Sequence, residues 1–362
     1  MDNAATSPIC EAAKQAIIKH LDDFGNPSST HELGRQTRVL IEDARERIAK
    51  CINANPEHIY FTSGGSEANT LALNGRHHTM SSKFEHHSVV SDWPKISITK
   101  EGFIKAHKLN NMLSEWWEVP FDIMSCMYVN NEIGTIQPVK ELATIAHRYG
   151  ILFHTDAVQA MPYIPIDVKD IGCDMLSASG HKFGAPKGVG FLYANERSRI
   201  KPIINGGYQE DGKRPGTENV LGIIAMAAAL EDTVEHMGER NMYIKSLRDR
   251  LLEKLLKIDG AHVNGSFENR VPGNINIRFD GVSGSKLVTL CSLYGIYISS
   301  GSACNEGVAT PSHVLKAIGL SDSEALNSVR ITLGHHNTGE DVNIAADIIT
   351  VLVERIRLTN EF

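Results

Sequence analysis

A lysine at the end of one short stretch is the residue of this sequence best suited to covalent chemistry. Lys182 ends the sequence Ser179-Gly180-His181-Lys182, which follows an apolar, strand-like run from Asp174 to Ala178. Two glycine-rich turns and a second apolar run, Val189 to Tyr193, come next. A lysine at the mouth of a strand can form a Schiff base with an aldehyde, and pyridoxal 5'-phosphate is the cofactor that needs this. A surface lysine in a turn is the alternative interpretation.

A glycine-rich segment upstream is suited to holding a phosphate. Its residues are Thr62-Ser63-Gly64-Gly65-Ser66-Glu67-Ala68-Asn69, and they follow a short apolar strand, Ile59 to Phe61. Backbone N–H groups at the start of a helix and the helix dipole both favour an anion there. The segment is neither a Walker loop nor a dinucleotide fingerprint. A glycine-rich turn with a serine cap is the alternative.

An aspartate at the end of another strand can serve the same cofactor. Asp156 lies in the sequence His154-Thr155-Asp156-Ala157-Val158-Gln159, after a run that looks buried. A carboxylate in this position can pair with a protonated pyridine nitrogen, which keeps the ring cationic and able to withdraw electrons. The alternative is an aspartate that caps the next helix. The distance to Lys182, one strand–helix–strand unit later, favours the cofactor role.

Histidines offer a further group for the same site. His86 lies in Lys83-Phe84-Glu85-His86-His87, and an imidazole can stack on a planar ring and also relay protons. Because the chain has 16 histidines, a structural role is a strong alternative for any one of them. Three pairs are adjacent in sequence, and adjacent histidines on a regular element are poor joint ligands. We therefore expect no metal site.

One cysteine and one arginine in the last third of the chain also attract attention. Cys304 lies in a loop of small residues, Ile298 to Gly307, where a thiolate would be accessible as a nucleophile. Cys126 and Cys291 lie in apolar runs typical of a buried core. Arg330 lies inside an apolar strand, where its charge needs a partner. A substrate carboxylate and a buried salt bridge to Asp or Glu are both open.

The elements that must position these residues alternate between strand and helix. This alternation predicts an α/β fold with a mostly parallel sheet flanked by helices, in which ligands bind beyond the carboxyl ends of the strands. The polar motifs all fall at such strand ends. Two successive helices are predicted, about Val220 to Met237 and Glu239 to Lys257, and shorter strands follow. We predict a large domain over 12–238 and a smaller α+β domain formed by 1–11 and 239–362.

Composition excludes several classes of function. The net charge of −7 argues against a nucleic-acid partner, which would usually require a basic patch. The longest strongly apolar stretch, Val220 to Leu230, is shorter than the roughly 20 residues that cross a bilayer, so we expect no membrane association. The first ten residues lack the pattern of a signal peptide, and no two cysteines form a C-x-x-C pair. These features predict a cytoplasmic protein.

Together these residues resemble the cysteine desulfurase family, which belongs to the class V aminotransferase-like enzymes of pyridoxal phosphate fold type I. The resemblance extends from Asp2-Asn3-Ala4-Ala5-Thr6 to about Gly334. Its further motifs are Phe24-Gly25-Asn26-Pro27-Ser28-Ser29, Val129-Asn130-Asn131-Glu132-Ile133-Gly134, Arg214-Pro215-Gly216-Thr217 and the cysteine loop. It implies a large domain that binds pyridoxal phosphate and a small domain that carries the cysteine.

The resemblance implies a role for each matching residue. Lys182 would bind the cofactor covalently, and Cys304, Lys182 and His86 would be catalytic. Residues implied to contact the cofactor are His86 and Asp156 at the ring, Gln159 at its hydroxyl, and Gly65, Ser66, Ser179, His181 and Thr217 at its phosphate. Thr217 would reach the phosphate of the neighbouring subunit, which implies a homodimer. The substrate carboxylate would meet Asn131 and Arg330, with Asn26 nearby.

The implied reaction converts L-cysteine to L-alanine. Lys182 would remove the α-proton, and the Cys304 thiolate would attack the substrate sulfur and carry it as a persulfide to an acceptor or scaffold protein. Iron–sulfur cluster assembly, tRNA thiolation and DNA phosphorothioation are all compatible destinations. Two alternatives stay open. One is a selenocysteine lyase, and the other is a degenerate scaffold or regulator, suggested by the short segment from Asn74 to Pro120.

Overall fold

Two β-sheets organise the chain. The computed structural model describes residues 1–89, 91, 95–116, 119–300, 303–305 and 308–360. The large sheet contains β1 (Ile59–Thr62), β2 (Thr79–Ser81), β3 (Ile123–Ser125), β4 (Leu152–Asp156), β5 (Met175–Ser179) and β6 (Gly190–Ala194). The small sheet contains β7 (Ala261–Val263), β8 (Asn274–Phe279), β9 (Ser299–Ser300) and β12 (Ser328–Thr332). A separate hairpin pairs β10 (Ala303–Asn305) with β11 (Val308–Thr310).

The large sheet is mostly parallel, as predicted. Its strands lie in the order β1-β6-β5-β4-β3-β2, and β2 to β5 are parallel to one another. β6 is antiparallel to both β5 and β1. Almost every residue of these strands is buried, which is expected when a parallel sheet is covered on both faces. The carboxyl ends of β2 to β5 therefore meet at one edge of the sheet.

Helices surround both sheets. Those of the first two thirds are α1 (Glu11–Lys19), α2 (Glu32–Cys51), α3 (Gly65–Leu73), α4 (Ala106–Glu115), α5 (Val139–Arg148), α6 (Val168–Ile171) and α7 (Val220–Leu255). The remainder are α8 (Gly284–Leu293), α9 (His313–Ala317), α10 (Asp322–Leu326) and α11 (Gly339–Asn360). Within the described ranges, none of these helices has the length and apolar character needed to span a bilayer.

The prediction of two helices separated near residue 238 is wrong. α7 is one continuous helix of 36 residues. A glycine inside a helix costs only about 1 kcal/mol relative to alanine, so Gly238 alone does not end it. Burial on both sides offsets that cost, because Ile223 and Leu230 pack with the large sheet and Leu247 and Leu251 with the small one. The predicted domain boundary at 238 thus falls inside a helix shared by two hydrophobic clusters.

The apolar sequence Ile296-Tyr297-Ile298 predicts one of the short strands of the small domain, but the observed strand lies later in the chain. β9 contains only Ser299 and Ser300, which pair with β12. Ile296 and Ile298 are instead buried in the hydrophobic cluster of the small sheet. The pairing of β9 with β12 therefore lies within the loop Ile298 to Gly307 that contains Cys304.

The N-terminal segment connects the two sheets. Asp2 forms a parallel bridge with Thr332 at the end of β12, and the backbone N–H of Ala4 donates to Thr332 Oγ1 at 2.9 Å. Further along, the backbone N–H of Ser7 donates to the carbonyl of His181 at 2.9 Å. These contacts carry residues 2–7 across the carboxyl edge of the large sheet, directly beside the turn that contains Lys182.

Candidate active site

A cavity of ≈ 230 Å³ lies at the carboxyl edge of the large sheet. β12 and the N-terminal segment form its remaining walls. Ten of the thirteen residues predicted for the site line it, namely Gly65, Ser66, His86, Asn131, Asp156, Gln159, Ser179, His181, Lys182 and Arg330. Residues that are up to 265 positions apart in sequence therefore share one cavity, the distance from Gly65 to Arg330.

Three predicted site residues are not among those that line the cavity. Thr217 is exposed on the loop before α7, and Asn26 is exposed with its Oδ1 accepting from the backbone N–H of Ser28 at 2.9 Å. Cys304 lies in β10, and its side chain falls outside the described part of the chain. The functional roles of these three residues stay predictions.

Lys182 lies at the end of a 3-10 turn, Gly180–Lys182, that directly follows β5. Its Nζ donates to the backbone carbonyls of Ala4 at 2.7 Å and Ala5 at 2.8 Å. Burial lowers the pKa of this amine to about 8, and the nearby charge of Arg330 acts in the same direction. Only a neutral amine attacks an aldehyde, so this environment makes Lys182 far more reactive near neutral pH than an ordinary lysine.

We expect the reaction of cofactor-free protein with pyridoxal phosphate to depend on pH through Lys182. The rate of covalent attachment should rise with pH as the amine loses its proton and level off above its pKa of about 8. An unperturbed lysine, with a pKa near 10.4, would continue to rise about tenfold per pH unit through pH 9. Borohydride trapping followed by peptide mass spectrometry measures the rate, with Nα-acetyl-lysine as the control. A profile that parallels the control would contradict the lowered pKa.

Asp156 is a buried carboxylate at the end of β4, with only 2% of its surface exposed. Its Oδ2 accepts from Asn69 Nδ2 at 2.7 Å, and its Oδ1 accepts from the backbone N–H of Val158 at 2.9 Å. Burial raises the pKa of this carboxyl, although these hydrogen bonds and the charges of His86 and Lys182 oppose the shift. A buried carboxylate is costly without a cation, so the site fits a ligand that brings a cationic ring nitrogen.

Asn69 was not predicted as a site residue, yet it connects Asp156 to His86. Its Nδ2 donates both to Asp156 and, at 2.9 Å, to Ser88 Oγ. Ser88 Oγ lies 2.8 Å from His86 Nδ1. The available signal was the position of Asn69 in α3, because a residue one turn after Ser66 lies on the same helix face.

His86 is held as a neutral imidazole with a defined tautomer. The backbone N–H of Ser88 donates to Nδ1 at 3.2 Å, so Nδ1 is an acceptor and the ring proton lies on Nε2. Burial lowers the pKa of His86, although the charge of Asp156 acts to raise it. The ring therefore lines the cavity with a neutral face and an Nε2–H group that can give up or recover a proton.

The start of α3 forms a cradle for an anion. A Cβ at Gly65 would lie 2.6 Å from Val158 Cγ2 and 3.4 Å from Ser179 Cβ, so only glycine lets the helix start approach so closely. The preceding residue, Gly64, offers no side chain to cap the helix, which leaves the first N–H groups available for a ligand. Ser66 and Ser179 also line the cavity.

His181 lines the same cavity as a neutral group. Burial lowers its pKa to about 4, and the charges of Lys182 and Lys187 act in the same direction. Its Nδ1 lies 3.2 Å from Thr6 Oγ1. Because the imidazole carries no charge at neutral pH, the cradle would hold a phosphate through hydrogen bonds and the helix dipole rather than through a cationic histidine.

The sequence left two partners open for Arg330, a substrate carboxylate and a salt bridge to an acidic residue, and the structure has features of both. Its Nη1 donates to the backbone carbonyl of Asn131 at 2.9 Å, and its Nη2 donates to Asp2 Oδ1 at 3.0 Å. The salt bridge to an acidic residue therefore exists. However, Arg330 also lines the cavity, and among the described residues its buried Nε has no hydrogen-bond acceptor. Within that part of the chain, only this Nε–H group is left for an additional anion.

The cavity as a whole fits pyridoxal phosphate. It combines a reactive amine at Lys182, a buried carboxylate at Asp156 and a phosphate cradle at the start of α3. Gln159 adds a carboxamide, which is held in place because its Nε2 donates to the carbonyl of Ala4 at 2.9 Å. The ring nitrogen, the phosphate and the aldehyde of the cofactor thus each have a complementary group in the cavity. Arg330 and Asn131 are left for a second, carboxylate-bearing molecule.

Comparisons with known proteins agree with this arrangement. Residues 1–344 match the family described as aminotransferase class-V. A cysteine desulfurase named IscS from Dictyoglomus turgidum is 41% identical, and the alignment covers 100% of this chain and 96% of that protein. The likeness thus extends over both predicted domains.

Solved structures give the same result. One titled "NIFS-LIKE PROTEIN" superposes with a TM-score of 0.89 at 31% identity, and the match covers 98% of both chains. Another, titled "SspA in complex with cysteine", has a TM-score of 0.79 at 33% identity and covers 93% of this chain and 99% of that one. The resemblance suggested by the motifs therefore extends to the three-dimensional structure over nearly the whole chain.

Proposed function

This chain belongs to the class-V aminotransferases and, within them, to the cysteine desulfurases, and from that premise we propose which of its residues carry out the reaction. It is a pyridoxal phosphate enzyme that acts on L-cysteine. The observation that carries our assignment of residues is the single cavity shared by Lys182, Asp156, His86 and Arg330. A degenerate scaffold would not need to keep all four.

Lys182 holds the cofactor and then acts as the base. Bound to Lys182, the cofactor supplies an electron-withdrawing ring that stabilises negative charge on the substrate Cα. Once freed from the cofactor, the Lys182 amine, which lines the cavity with a pKa of about 8, would be able to accept the substrate α-proton as a general base. The carbonyls of Ala4 and Ala5 fix the direction of its Nζ and accept hydrogen bonds from it when it is protonated.

Arg330 and Asn131 bind the substrate carboxylate. The support is the guanidinium at the wall of the cavity, whose Nε has no acceptor among the described residues. A planar guanidinium suits a carboxylate because it offers two parallel N–H donors. This contact would hold one end of the substrate in the cavity that Lys182 also lines. Asn26 stays a proposed neighbour of this contact.

Cys304 receives the sulfur. Both ends of its loop are attached beside the cavity, because Ser299 Oγ donates to Asp2 Oδ2 at 2.8 Å and Ser312 Oγ donates to Glu132 Oε2 at 2.6 Å. The loop between these anchors is long enough to move the thiol from the cavity to the surface. The thiolate attacks the substrate sulfur, the C–S bond breaks, and Cys304 keeps the sulfur as a persulfide while the substrate becomes alanine. The Nε2–H of His86 can supply a proton in this sequence.

A Cys304→Ala variant tests this assignment. We expect it to keep the yellow colour of bound cofactor and to lose sulfide release from L-cysteine by at least about a hundredfold, since the nucleophile is gone. Sulfide and alanine assays measure the loss, and mass spectrometry follows the persulfide. Cys51→Ala is the matched control, because burial raises the pKa of that thiol to about 11 and it lies outside the cavity. Full activity of Cys304→Ala would refute the assignment.

Comparing kcat/KM for cysteine and for selenocysteine in the same variants tests the alternative that the protein is a selenocysteine lyase. Selenium can leave without attack by a thiol, so a selenocysteine lyase would need Cys304 less. A variant that loses the cysteine reaction but retains the selenocysteine reaction would therefore show which activity depends on this residue. Equal losses for both substrates would favour the desulfurase assignment.

Two copies of the chain would complete the site. The support is Thr217, which is exposed and absent from the cavity of its own chain although it is expected to contact a phosphate. Its loop is attached near the start of α3, because Arg214 Nε donates to Glu67 Oε1 at 2.8 Å. We therefore propose a homodimer in which each Thr217 contacts the phosphate bound to its partner.

We propose that the reaction takes place in the cytoplasm. The five cysteines whose side chains the structure describes are all free thiols, which suits a reducing compartment. The sulfur would pass from Cys304 to an acceptor or scaffold protein. Capture of partners by protein that carries the persulfide, compared with capture by Cys304→Ala, would identify that acceptor and the pathway served, including iron–sulfur cluster assembly.

A further inference from the structure

Three side chains form a closed ring of hydrogen bonds at the wall of the cavity. Arg330 Nη2 donates to Asp2 Oδ1 at 3.0 Å and to Ser299 Oγ at 3.2 Å. Ser299 Oγ in turn donates to Asp2 Oδ2 at 2.8 Å. The ring joins the N-terminal segment, β12 and β9, so it connects the proposed substrate-binding arginine to the base of the Cys304 loop.

The guanidinium of Arg330 has no bidentate edge that is wholly free. A carboxylate can bind two parallel N–H groups either at the Nε/Nη2 edge or at the Nη1/Nη2 edge. Both edges include Nη2, which already donates to Asp2 Oδ1 and to Ser299 Oγ. Nη1 also donates one hydrogen to the carbonyl of Asn131. An incoming carboxylate must therefore displace one member of the ring.

Asp2 is the member that has to leave. Two carboxylates on one guanidinium repel each other, whereas the Ser299 hydroxyl is neutral and can stay. The Asp2 side chain is 26% exposed, so it reaches water with little rearrangement. The Arg330 side chain is only 11% exposed and would be costly to leave unpaired, and Asp2 prevents this before substrate arrives.

We propose that Asp2 is a resident carboxylate that occupies Arg330 in the absence of substrate and that the carboxylate of L-cysteine displaces it. This inference rests on the proposed role of Arg330. When Asp2 leaves, the Ser299 hydroxyl loses its acceptor, and Ser299 is five residues before Cys304. Binding of the substrate carboxylate thereby loosens one anchor of the loop that carries the nucleophile. A molecule with an amine and no carboxylate leaves Asp2 in place and the loop attached.

An Asp2→Asn variant tests the competition, because asparagine keeps the shape and removes the charge. The probe is L-alanine, the product, whose binding is followed by the absorbance of the cofactor in the loaded protein. We expect its Kd to fall about threefold to fivefold in Asp2→Asn, since the substrate no longer displaces an ion pair. Asp23→Asn, an exposed aspartate outside the cavity, is the matched control and should leave the Kd unchanged.

Alkylation of Cys304 by iodoacetamide, followed by peptide mass spectrometry, tests the effect on the loop. In the wild type, L-alanine should increase the alkylation rate severalfold. In Asp2→Asn the rate should already be high without L-alanine, and adding it should have little further effect. Ser299→Ala, which breaks the ring but leaves Asp2 on Arg330, should also raise the rate while leaving the Kd of L-alanine unchanged.

The outcomes separate this inference from the proposed function. If Arg330→Ala binds L-alanine as tightly as the wild type, then the role of Arg330 fails and the inference fails with it. If Arg330→Ala weakens binding but Asp2→Asn leaves the Kd unchanged, the inference alone is overturned. An alkylation rate that is the same in Asp2→Asn, Ser299→Ala and the wild type would refute the connection to the loop.

Discussion

A Lys182→Ala variant is expected to lose desulfuration of L-cysteine by at least about a thousandfold. The loss is large because one amine performs two tasks, covalent attachment of the cofactor and removal of the α-proton. Among the described residues that line the cavity, Lys182 is the only lysine. No neighbouring amine can therefore substitute for it. The protein should still fold, since the substitution removes only the two hydrogen bonds that Nζ donates to Ala4 and Ala5.

Two measurements follow from this variant. Sulfide and alanine assays report the loss of activity, and borohydride reduction followed by peptide mass spectrometry reports which lysine carries the cofactor. In the wild type the added mass should lie on the peptide that contains Lys182, and in the variant no lysine should carry it. Lys187→Ala, an exposed lysine in the following turn, is the control and should keep both properties. Cofactor trapped on a different lysine, with activity retained, would show that Lys182 was assigned wrongly.

An Asp156→Asn variant is expected to lower kcat about a hundredfold to a thousandfold, because a neutral amide cannot keep a pyridine nitrogen protonated. The fold has a way to accept asparagine. The Oδ1 of Asn69 is buried without a hydrogen-bond partner in the described part of the structure. If the Asn69 amide turns over, that oxygen can accept from the new N–H group at position 156. Loss of activity should therefore occur without loss of structure.

Although Asp156→Asn should lower kcat, it should make the cofactor-free protein more stable at neutral pH. Burial raises the pKa of Asp156 above that of the unfolded chain, so in the range between the two values the folded protein binds more protons than the unfolded one. The free energy of unfolding then falls as pH rises through that range. The amide of the variant cannot ionise, so cofactor-free Asp156→Asn should melt at a higher temperature than the wild type at pH 7 and show a smaller difference at pH 4.

Two measurements on Asp156→Asn, the melting temperature at pH 7 and pH 4 and the kcat of the loaded enzyme, therefore distinguish a functional carboxylate from a structural one. Asp22→Asn, an exposed aspartate in the turn after α1, is the control and should leave both measurements unchanged. If the cofactor-free variant were less stable than the wild type at pH 7, Asp156 would be serving the fold rather than the cofactor.

Local sequence patterns predicted the sheet and singled out Lys182, Asp156 and the turn at Gly65, because these depend on short-range signals. Other residues that line the cavity, such as Gln159 and Asn131, were implied only by the family resemblance. Strand ends followed by small or polar residues are visible in any single stretch, and parallel strands necessarily bring those ends together. The spacing of Lys182 and Asp156 therefore favoured a common site over a helix cap at Asp156. The same reasoning predicts a phosphate cradle at Gly65, where a turn becomes a helix.

What the sequence could not provide depends on contacts between distant parts of the chain. Asp2 and Arg330 are 328 positions apart, and nothing near either residue indicates the other. The carbonyls of Ala4 and Ala5 reach Lys182 only because the N-terminal segment crosses the sheet edge. The sequence predicts a break in α7 near Gly238 because the local cost of glycine is visible there and the burial that offsets it is not.

The continuous helix α7 has a mechanical consequence. Its 36 residues extend about 54 Å and pass through the hydrophobic clusters of both sheets. Rotating the part of the protein around the large sheet against the part around the small sheet would require bending α7. Otherwise it would have to break the apolar contacts at one end of the helix. Large-scale closure of the kind that hinged enzymes use is therefore unfavourable here. Any motion during catalysis must therefore come from short segments beside the cavity. A turnover cycle should leave the hydrodynamic radius of the protein almost unchanged.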